Sequence, residues 1–261
     1  MANEDMIWEL KKDSIKALLE KGRRVDERAF DEYRQIEIKN NFIPRAEGSS
    51  LVKIGNTQVL VGVKMEVGTP YPDNPEEGIL TTNAELVPIA APTFYSGPPD
   101  ENSIELARVV DRGIRESKMI SLEELVIEPK EKVWMVMIDI HVLDYDGNLF
   151  DAASIAAVNA LKNTRIPKYE DETIIRGEYA RDLPTRETPV SCTFVKIGNS
   201  ILLDPSLVEE KTMDARMTMT TTEKEELCAA QKGGSGWFTR KEIEEMLEKA
   251  IEKGKEIRKM F

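Results

Sequence analysis

Residues 144–161, DYDGNLFDAASIAAVNAL, join an apolar stretch to the run richest in small residues in the chain. Upstream, KVWMVMIDIHVLD at 132–144 is apolar almost throughout, which predicts a strand covered on both faces. Asp146-Gly147-Asn148 supplies turn chemistry. From Asp151, placed to cap a helix, the run carries four alanines before Ala160, so another layer can approach its backbone closely. A buried helix under a sheet is expected. A strand, a glycine-containing turn and a helix N-terminus form a geometry that holds phosphate. At that junction this chain has Phe150 and Asp151, a bulky ring and a negative charge.

A length of 261 residues allows one large domain or two small ones with a substantial core. Cys192 and Cys228 have no metal-ligand spacing and suit a reducing compartment, and no metal or cofactor is expected. There is no apolar run of about 18 residues, and the opening NED followed by KKD is no signal peptide. A soluble cytoplasmic protein without a membrane role is the expectation. The net charge of −12 repels polyanions, so nucleic acid must be held by a local patch or through a partner. The single histidine, His141, lies within the apolar strand and reads as a sheet histidine, which leaves histidine-assisted nucleophilic chemistry poorly supported.

The chain opens with Ile7, Leu10, Ile15, Leu18 and Leu19 among charges, a spacing that predicts a docking helix ended by Gly22. Next, Arg23, Arg24 and Arg28 surround Asp26 in the manner of a surface ion-pair cluster. At 48–67, GSSLVKIGNTQVLVGVKMEV reads as two β-runs meeting at Gly55-Asn56, a hairpin signal. VKIGN returns whole at 195–199, within VSCTFVKIGNSILL. An internal duplication explains both copies, each half starting with a hairpin and ending in helices. Residues 1–22 are thus the docking helix, 23–166 a first half, 167–189 a connecting loop and 190–261 a second half with its C-terminal helix.

The stretch ENSIELARVVDRGIRESKMI, 101–120, forms a helix whose faces follow from its period. With Arg108 at zero, Arg112 falls at about +40° and Arg115 at about −20°, opposite Leu106, Val109, Val110, Gly113 and Ile114. This arginine stripe stands open between an ordinary solvated face and a nucleic-acid contact. Further on, LLDPSLVEE is a carboxylate-rich turn, and a strand follows in which Met217 and Met219 alternate with Thr218 and Thr220. The final QKGGSGWFT leads into a helix with Thr239 as N-cap and Glu242 at the capping-box position. Its glycines suit a phosphate cradle or a packing turn equally.

Taken together, RRVDERAFDEYRQIEI, EGSSLVKIGNTQVLVGVK, ENSIELARVVDRGIRES, DYDGNLFDAAS, LLDPSLVEE and QKGGSGWFT resemble the ribonuclease PH family, and most closely the non-catalytic ring subunit of the archaeal RNA exosome. The resemblance runs from Arg23 to Ala250. It implies an α/β (α+β) fold of two duplicated βαβα-like halves, the ribonuclease PH type, similar to domain 2 of ribosomal protein S5. Active members shorten RNA from its 3′ end by phosphorolysis, releasing nucleoside diphosphates. Their phosphate-handling positions correspond here to Asn102, Leu149, Phe150 and Asp151, none of them cationic. Of their acidic pair, Asp204 matches the first member, and Glu210 stands where an aspartate is usual.

The resemblance therefore implies a degenerate site at Asn102, Phe150, Asp151, Asp204 and Glu210, with RNA binding by Arg108, Arg112 and Arg115. It further implies an active ribonuclease PH-type exosome subunit as partner, in an alternating hexamer of three heterodimers. RNA-binding cap subunits and single-stranded RNA complete the expected partners. The alternatives are an active phosphorolytic exoribonuclease using Asp204 and Glu210, and a purely structural ring element.

Overall fold

The computed structural model describes residues 2–261, with side chains described at Trp8 and from Lys11 onward. In chain order the elements are α1 (Ala2–Leu19), β1 (Ile36–Asn40), β2 (Gly48–Ile54), β3 (Thr57–Gly68), β4 (Ile79–Leu86) and α2 (Glu101–Glu116). A 3₁₀ turn (Leu122–Leu125) leads to β5 (Val126–Glu128), β6 (Lys132–Asp144), α3 (Leu149–Lys162), β7 (Arg165–Glu170) and β8 (Thr173–Asp182). The chain ends with β9 (Val190–Ile197), β10 (Ser200–Leu203), α4 (Leu207–Thr212), β11 (Ala215–Thr221), β12 (Leu227–Gly233) and α5 (Arg240–Arg258).

Two sheets share one helix. The first has the order β1-β2-β3-β6-β4, with β4 parallel to β6, and the second the order β10-β9-β11-β12. Between them lies α3, packed on β2 and β3 from one side and on β9 from the other. Every residue from Leu149 to Leu161 is buried. Alanine makes this possible, because a helix with small side chains admits a sheet on each flank. Toward α3 the second sheet presents hydroxyls: Ser191 bonds Ser154 at 2.9 Å and Thr220 at 2.9 Å, and Thr193 bonds Thr218 at 2.9 Å. By the two-residue period of a strand, Cys192, Phe194, Met217 and Met219 face the other way, toward α5 and its buried Met246 and Ala250.

Strand β6 corrects the expectation of two covered faces. Val136, Ile138, Ile140 and Val142 are buried on the inner face, whereas Met135, Met137, Asp139 and His141 are only half-buried on the outer one. Among the described residues, helices cover this sheet on one side only. His141 sits on the outer face with Nδ1 3.3 Å from Glu85, a sheet histidine with a partner.

The VKIGN strings build like hairpins, with Gly55 at φ +57° and Gly198 at φ +60°. Their settings differ, since the second arm of the first hairpin pairs with β6 and the first arm of the second pairs with β11. Residues 167–189 are not a loop. Most of them form the antiparallel pair β7–β8, which lacks an alternating pattern because β8 is mostly exposed. Arg176 ties this pair to the first sheet, donating to Glu47 at 2.9 Å, to the Met65 carbonyl at 2.8 Å and to Glu66.

Helix α1 docks on the second half: Ile15 and Leu19 are buried with Val195, Ile197 and Leu202, and Lys12 reaches Asp214 at 2.9 Å. The side chains of Ile7 and Leu10 lie outside the described residues. Among the described residues no helix is long and apolar enough to cross a membrane.

Candidate functional site

Gly147 and Asn148 shape the joint between β6 and α3. Gly147 has φ +89°, and a Cβ on it would stand 2.5 Å from the Leu207 backbone nitrogen, so only glycine lets the turn press on that backbone. Asn148 adopts the left-handed region (φ 56°, ψ 51°) and is the N-cap of α3. The cap thus lies upstream of Asp151, where the sequence pointed, because asparagine tolerates this backbone and its side chain can accept from the Asp151 N–H. Asn148 touches three carboxylates. Its Nδ2 donates to Asp151 at 2.8 Å and to Asp204 at 2.7 Å, and its backbone N–H donates to Glu210 at 3.0 Å.

Asp151 does not present its charge to an incoming anion, which corrects the role expected of it. The side chain is fully buried and turns inward, accepting from Tyr33 Oη at 2.7 Å, Thr193 N at 3.0 Å and Thr193 Oγ1 at 2.7 Å. Burial pushes its carboxyl up to about 6 despite these donors.

Asp204 is also fully buried, at φ +49°. One oxygen accepts from Arg34 Nη2 at 2.8 Å and from Asn148, and the other from Arg34 N at 2.8 Å, Arg34 Nε at 2.9 Å and Arg28 Nη1 at 2.9 Å. Burial alone would raise this carboxyl, but the Arg34 hydrogen bonds and charge outweigh it and hold the group below its usual range. Such an oxygen pair has little capacity left to take or hand on a proton.

Of the arginines around Asp26, Arg23 stays on the surface paired with Glu27 at 3.1 Å, but Arg24 and Arg28 are drawn into the fold. Arg24 is 2% exposed and grips Glu209 with two bonds, Nε at 2.9 Å and Nη2 at 2.6 Å. It also donates to the carbonyls of Leu203 and Asp204, each at 2.9 Å. The segment 23–34, which sequence order assigned to the first half, therefore bridges the halves, with Arg24, Arg28 and Arg34 bound to Glu209 and Asp204 and Tyr33 and Arg34 bound to the β6–α3 joint.

A cavity of about 170 Å³ opens beside the joint, walled by Phe94, Tyr145, Leu149 and Phe150 and lined by Asp100, Asn102, Glu105, Glu210, Lys211 and Arg216. Phe94 and Tyr145 stack at 5.4 Å. Burial, then the neighbouring Glu210 charge, pushes the Tyr145 phenol well above its usual range. Both helix ends facing this region are occupied by the chain's own carboxylates. Asp100 caps α2, accepting from Ser103 N at 2.8 Å and Asn102 Nδ2 at 3.3 Å, and Glu210 takes the Asn148 N–H at the start of α3.

Sequence reasoning missed the two cations here. Lys211 is exposed, whereas Arg216 is nearly buried, its guanidinium 4.1 Å from the Phe150 ring centroid and 2.7 Å from Glu105. The strand period held the signal, since Arg216 shares the face of Thr218 and Thr220 that looks toward α3.

The apolar side of α2 is buried as its period requires. On the outer side, Arg108 is exposed and forms no ion pair or side-chain hydrogen bond among the described residues. Arg112 donates to Gln231 Oε1 at 3.2 Å, and Arg115 pairs with Asp111 at 3.1 Å and reaches the Leu80 carbonyl at 3.1 Å. The glycine-rich turn before α5 is a packing turn: Gly236 N donates to Asp214 O at 2.7 Å. The end of that helix is closed by the Thr239–Glu242 capping box.

Among the described residues no group of three His, Cys, Asp or Glu side chains is placed to hold a metal ion. Burial pushes the Cys228 thiol up to about 11, which leaves it a poor nucleophile.

Known proteins share this architecture along its whole length. Relatives described as exosome complex component Rrp42 are 53% identical in Thermococcus kodakarensis, over 99% of this chain and 96% of the relative, and 51% identical in Thermococcus gammatolerans, over 100% and 97%. A chain in a structure described as the Archaeoglobus fulgidus exosome with RNA bound to the active site superposes with a TM-score of 0.92 at 49% identity, covering 98% of this chain and 99% of that one. Domain 1 of the 3′ exoribonuclease family matches residues 32–167 and domain 2 matches residues 187–253, so the chain belongs to this family, the ribonuclease PH family.

Proposed function

We propose that the chain is a catalytically silent subunit of an RNA exosome ring. It stands beside an active homologous subunit, helps shape that subunit's active site, and binds single-stranded RNA on its way to 3′-to-5′ phosphorolysis there. One observation carries the silence: both oxygens of Asp204 are engaged by Arg28, Arg34 and Asn148. Phosphate approaching the two helix ends would also meet Asp100 and Glu210. At 4 Å a pair of like charges repels by about 1 kcal/mol in water and by more beside a low-dielectric wall. The assembly is supported by the Rrp42 relatives, described as exosome components, and by the likeness to a chain of an RNA-bound exosome.

In this reading Arg108, Arg112 and Arg115 grip backbone phosphates without reading bases. Arg112 and Arg108 carry the larger share, because among the described residues Arg112 meets only a neutral amide, whereas Arg115 shares its charge with Asp111. A locally basic channel is compatible with a net charge of −12, since the acid can lie on the outside. The partner is the active homologue, alternating with this chain as three heterodimers in a hexamer that carries RNA-binding cap subunits, and the setting is the cytoplasm.

The test is to incubate RNA and phosphate with the chain alone, with the active homologue alone and with both, following nucleoside diphosphate release and RNA crosslinking. We expect no release by the isolated chain, and release together with crosslinks to α2 in the complex. Reproducible phosphate-dependent turnover by the chain alone overturns the silence, and a complex without crosslinks to this chain overturns the RNA-binding role.

A further inference from the structure

Resting on the reading of Arg112 as an RNA contact, we infer that Gln231, Glu105 and Arg216 are positioning residues that aim Arg112 without cancelling its charge. The relay starts at Phe150. Arg216 lies with its guanidinium 4.1 Å from the Phe150 ring centroid, and on β12 its cross-strand partner is Gly233. A Cβ at position 233 would stand 2.8 Å from Arg216 Nη2 and 3.1 Å from Cζ, so any larger residue would push the guanidinium out of place. Arg216 Nη2 then donates to Glu105 Oε1 at 2.7 Å. The same oxygen accepts from Gln231 Nε2 at 3.4 Å, and Gln231 Oε1 accepts from Arg112 Nη1 at 3.2 Å. Only one orientation of the Gln231 amide serves both neighbours, its NH₂ toward the carboxylate and its oxygen toward Arg112.

The charges along this relay decide its purpose. Arg216 and Glu105 neutralise one another, Gln231 is neutral, and the Arg112 charge remains whole. Arg115 is also anchored, but to the Asp111 carboxylate, and Arg108 has no anchor among the described residues. Arg112 is thus the arginine of the stripe that is both held and uncompensated. Holding a long side chain in advance reduces what must be ordered when RNA arrives. The residues that fill the former phosphate region, Phe150 and Arg216, thereby act at the RNA-facing surface of α2.

The experiment uses the complex with the active homologue and a short single-stranded oligouridylate in phosphate-free buffer, with affinity measured over a salt series. Arg112→Ala is expected to weaken binding and to lower the magnitude of the salt slope by about 0.7, one single-strand phosphate contact. Gln231→Glu sets a carboxylate on Arg112 and should lower the slope by the same amount with the arginine still present. In the double variant Arg112→Ala/Gln231→Glu the new carboxylate has no arginine to cancel and only repels the strand at longer range, so its loss should be clearly smaller than the sum of the two single losses. Gln231→Leu keeps the charge but removes the aim, so the slope should hold while affinity falls roughly threefold. Equal losses from Gln231→Glu with and without Arg112, or no loss from Gln231→Glu where Arg112→Ala weakens binding, overturn the relay alone. No change in affinity or slope on Arg112→Ala overturns the stripe reading, and the relay with it.

Discussion

Asp151 is a carboxylate kept where water cannot reach it, and it leaves a mark on how stability depends on pH. Its carboxyl is raised from 3.8 to about 6 in the folded chain by burial. Between those values the folded chain holds a proton that the unfolded chain has released. Stability therefore falls as pH rises through that window, and at neutral pH the ionised group lowers it by on the order of 3 kcal/mol. In Asp151→Asn this dependence is absent. The melting temperature of the parent minus that of the variant should decrease between about pH 4 and about pH 7, and a flat difference would contradict the assignment. Its neighbour behaves differently. Phe150→Arg sets a second guanidinium against Arg216 and removes the stacking worth about 1–2 kcal/mol. We expect a lower melting temperature and still no nucleoside diphosphate release; turnover by this variant would show that the ring alone keeps the site silent. Asn102, Phe150, Asp151, Asp204 and Glu210 were legible in the sequence, but Lys211, Arg216 and the directions of the side chains were not. Phe150 and Asp151 are adjacent, and the first turn of α3 sends one toward the cavity and the other toward β9.

Among the elements, those with a strong period could be read in advance. The buried side of α2 and the two VKIGN hairpins follow from local pattern, because burial there depends on neighbours three, four or two positions away. The β7–β8 pair could not, since little of β8 is buried. The segment 23–34 could not either: its charges match a surface cluster locally, and the residue that decides the matter, Glu209, lies 185 positions from Arg24. Arg24→Ala tests what the clasp contributes. It leaves Glu209 buried without its cation and the Leu203 carbonyl without its Arg24 donor, while Arg28 still donates to the Asp204 carbonyl at 3.0 Å, so denaturant titration should show a loss of about 3–5 kcal/mol. Arg24→Ala/Glu209→Ala should not recover the parent stability, because the Leu203 carbonyl loses its Arg24 donor and the space of two large buried side chains stays unfilled. A loss below about 1 kcal/mol, the level of an exposed pair, would mean that the clasp is ornamental.

The whole molecule is held together by what its halves share. Helix α3 serves both sheets, and Ile15, Leu19 and Arg24 seal the second half. Assembly should extend this dependence outward. By light scattering, we expect the isolated chain to self-associate and its mixture with the active homologue to give a discrete complex of three heterodimers. A well-behaved monomer indifferent to the homologue counts against the ring. The clasp at Arg24 also imposes an order in time. Ribosomes add about 5–20 residues per second, so the interval between making Arg24 and making Glu209 is roughly ten to forty seconds. Throughout that interval the guanidinium is hydrated on an unfinished nascent chain, and the seal closes only once translation has passed Glu209. Truncated products that stop short of α4 therefore leave the ribosome with Arg24 exposed, a difference that a quality-control protease could use to tell them from the finished protein.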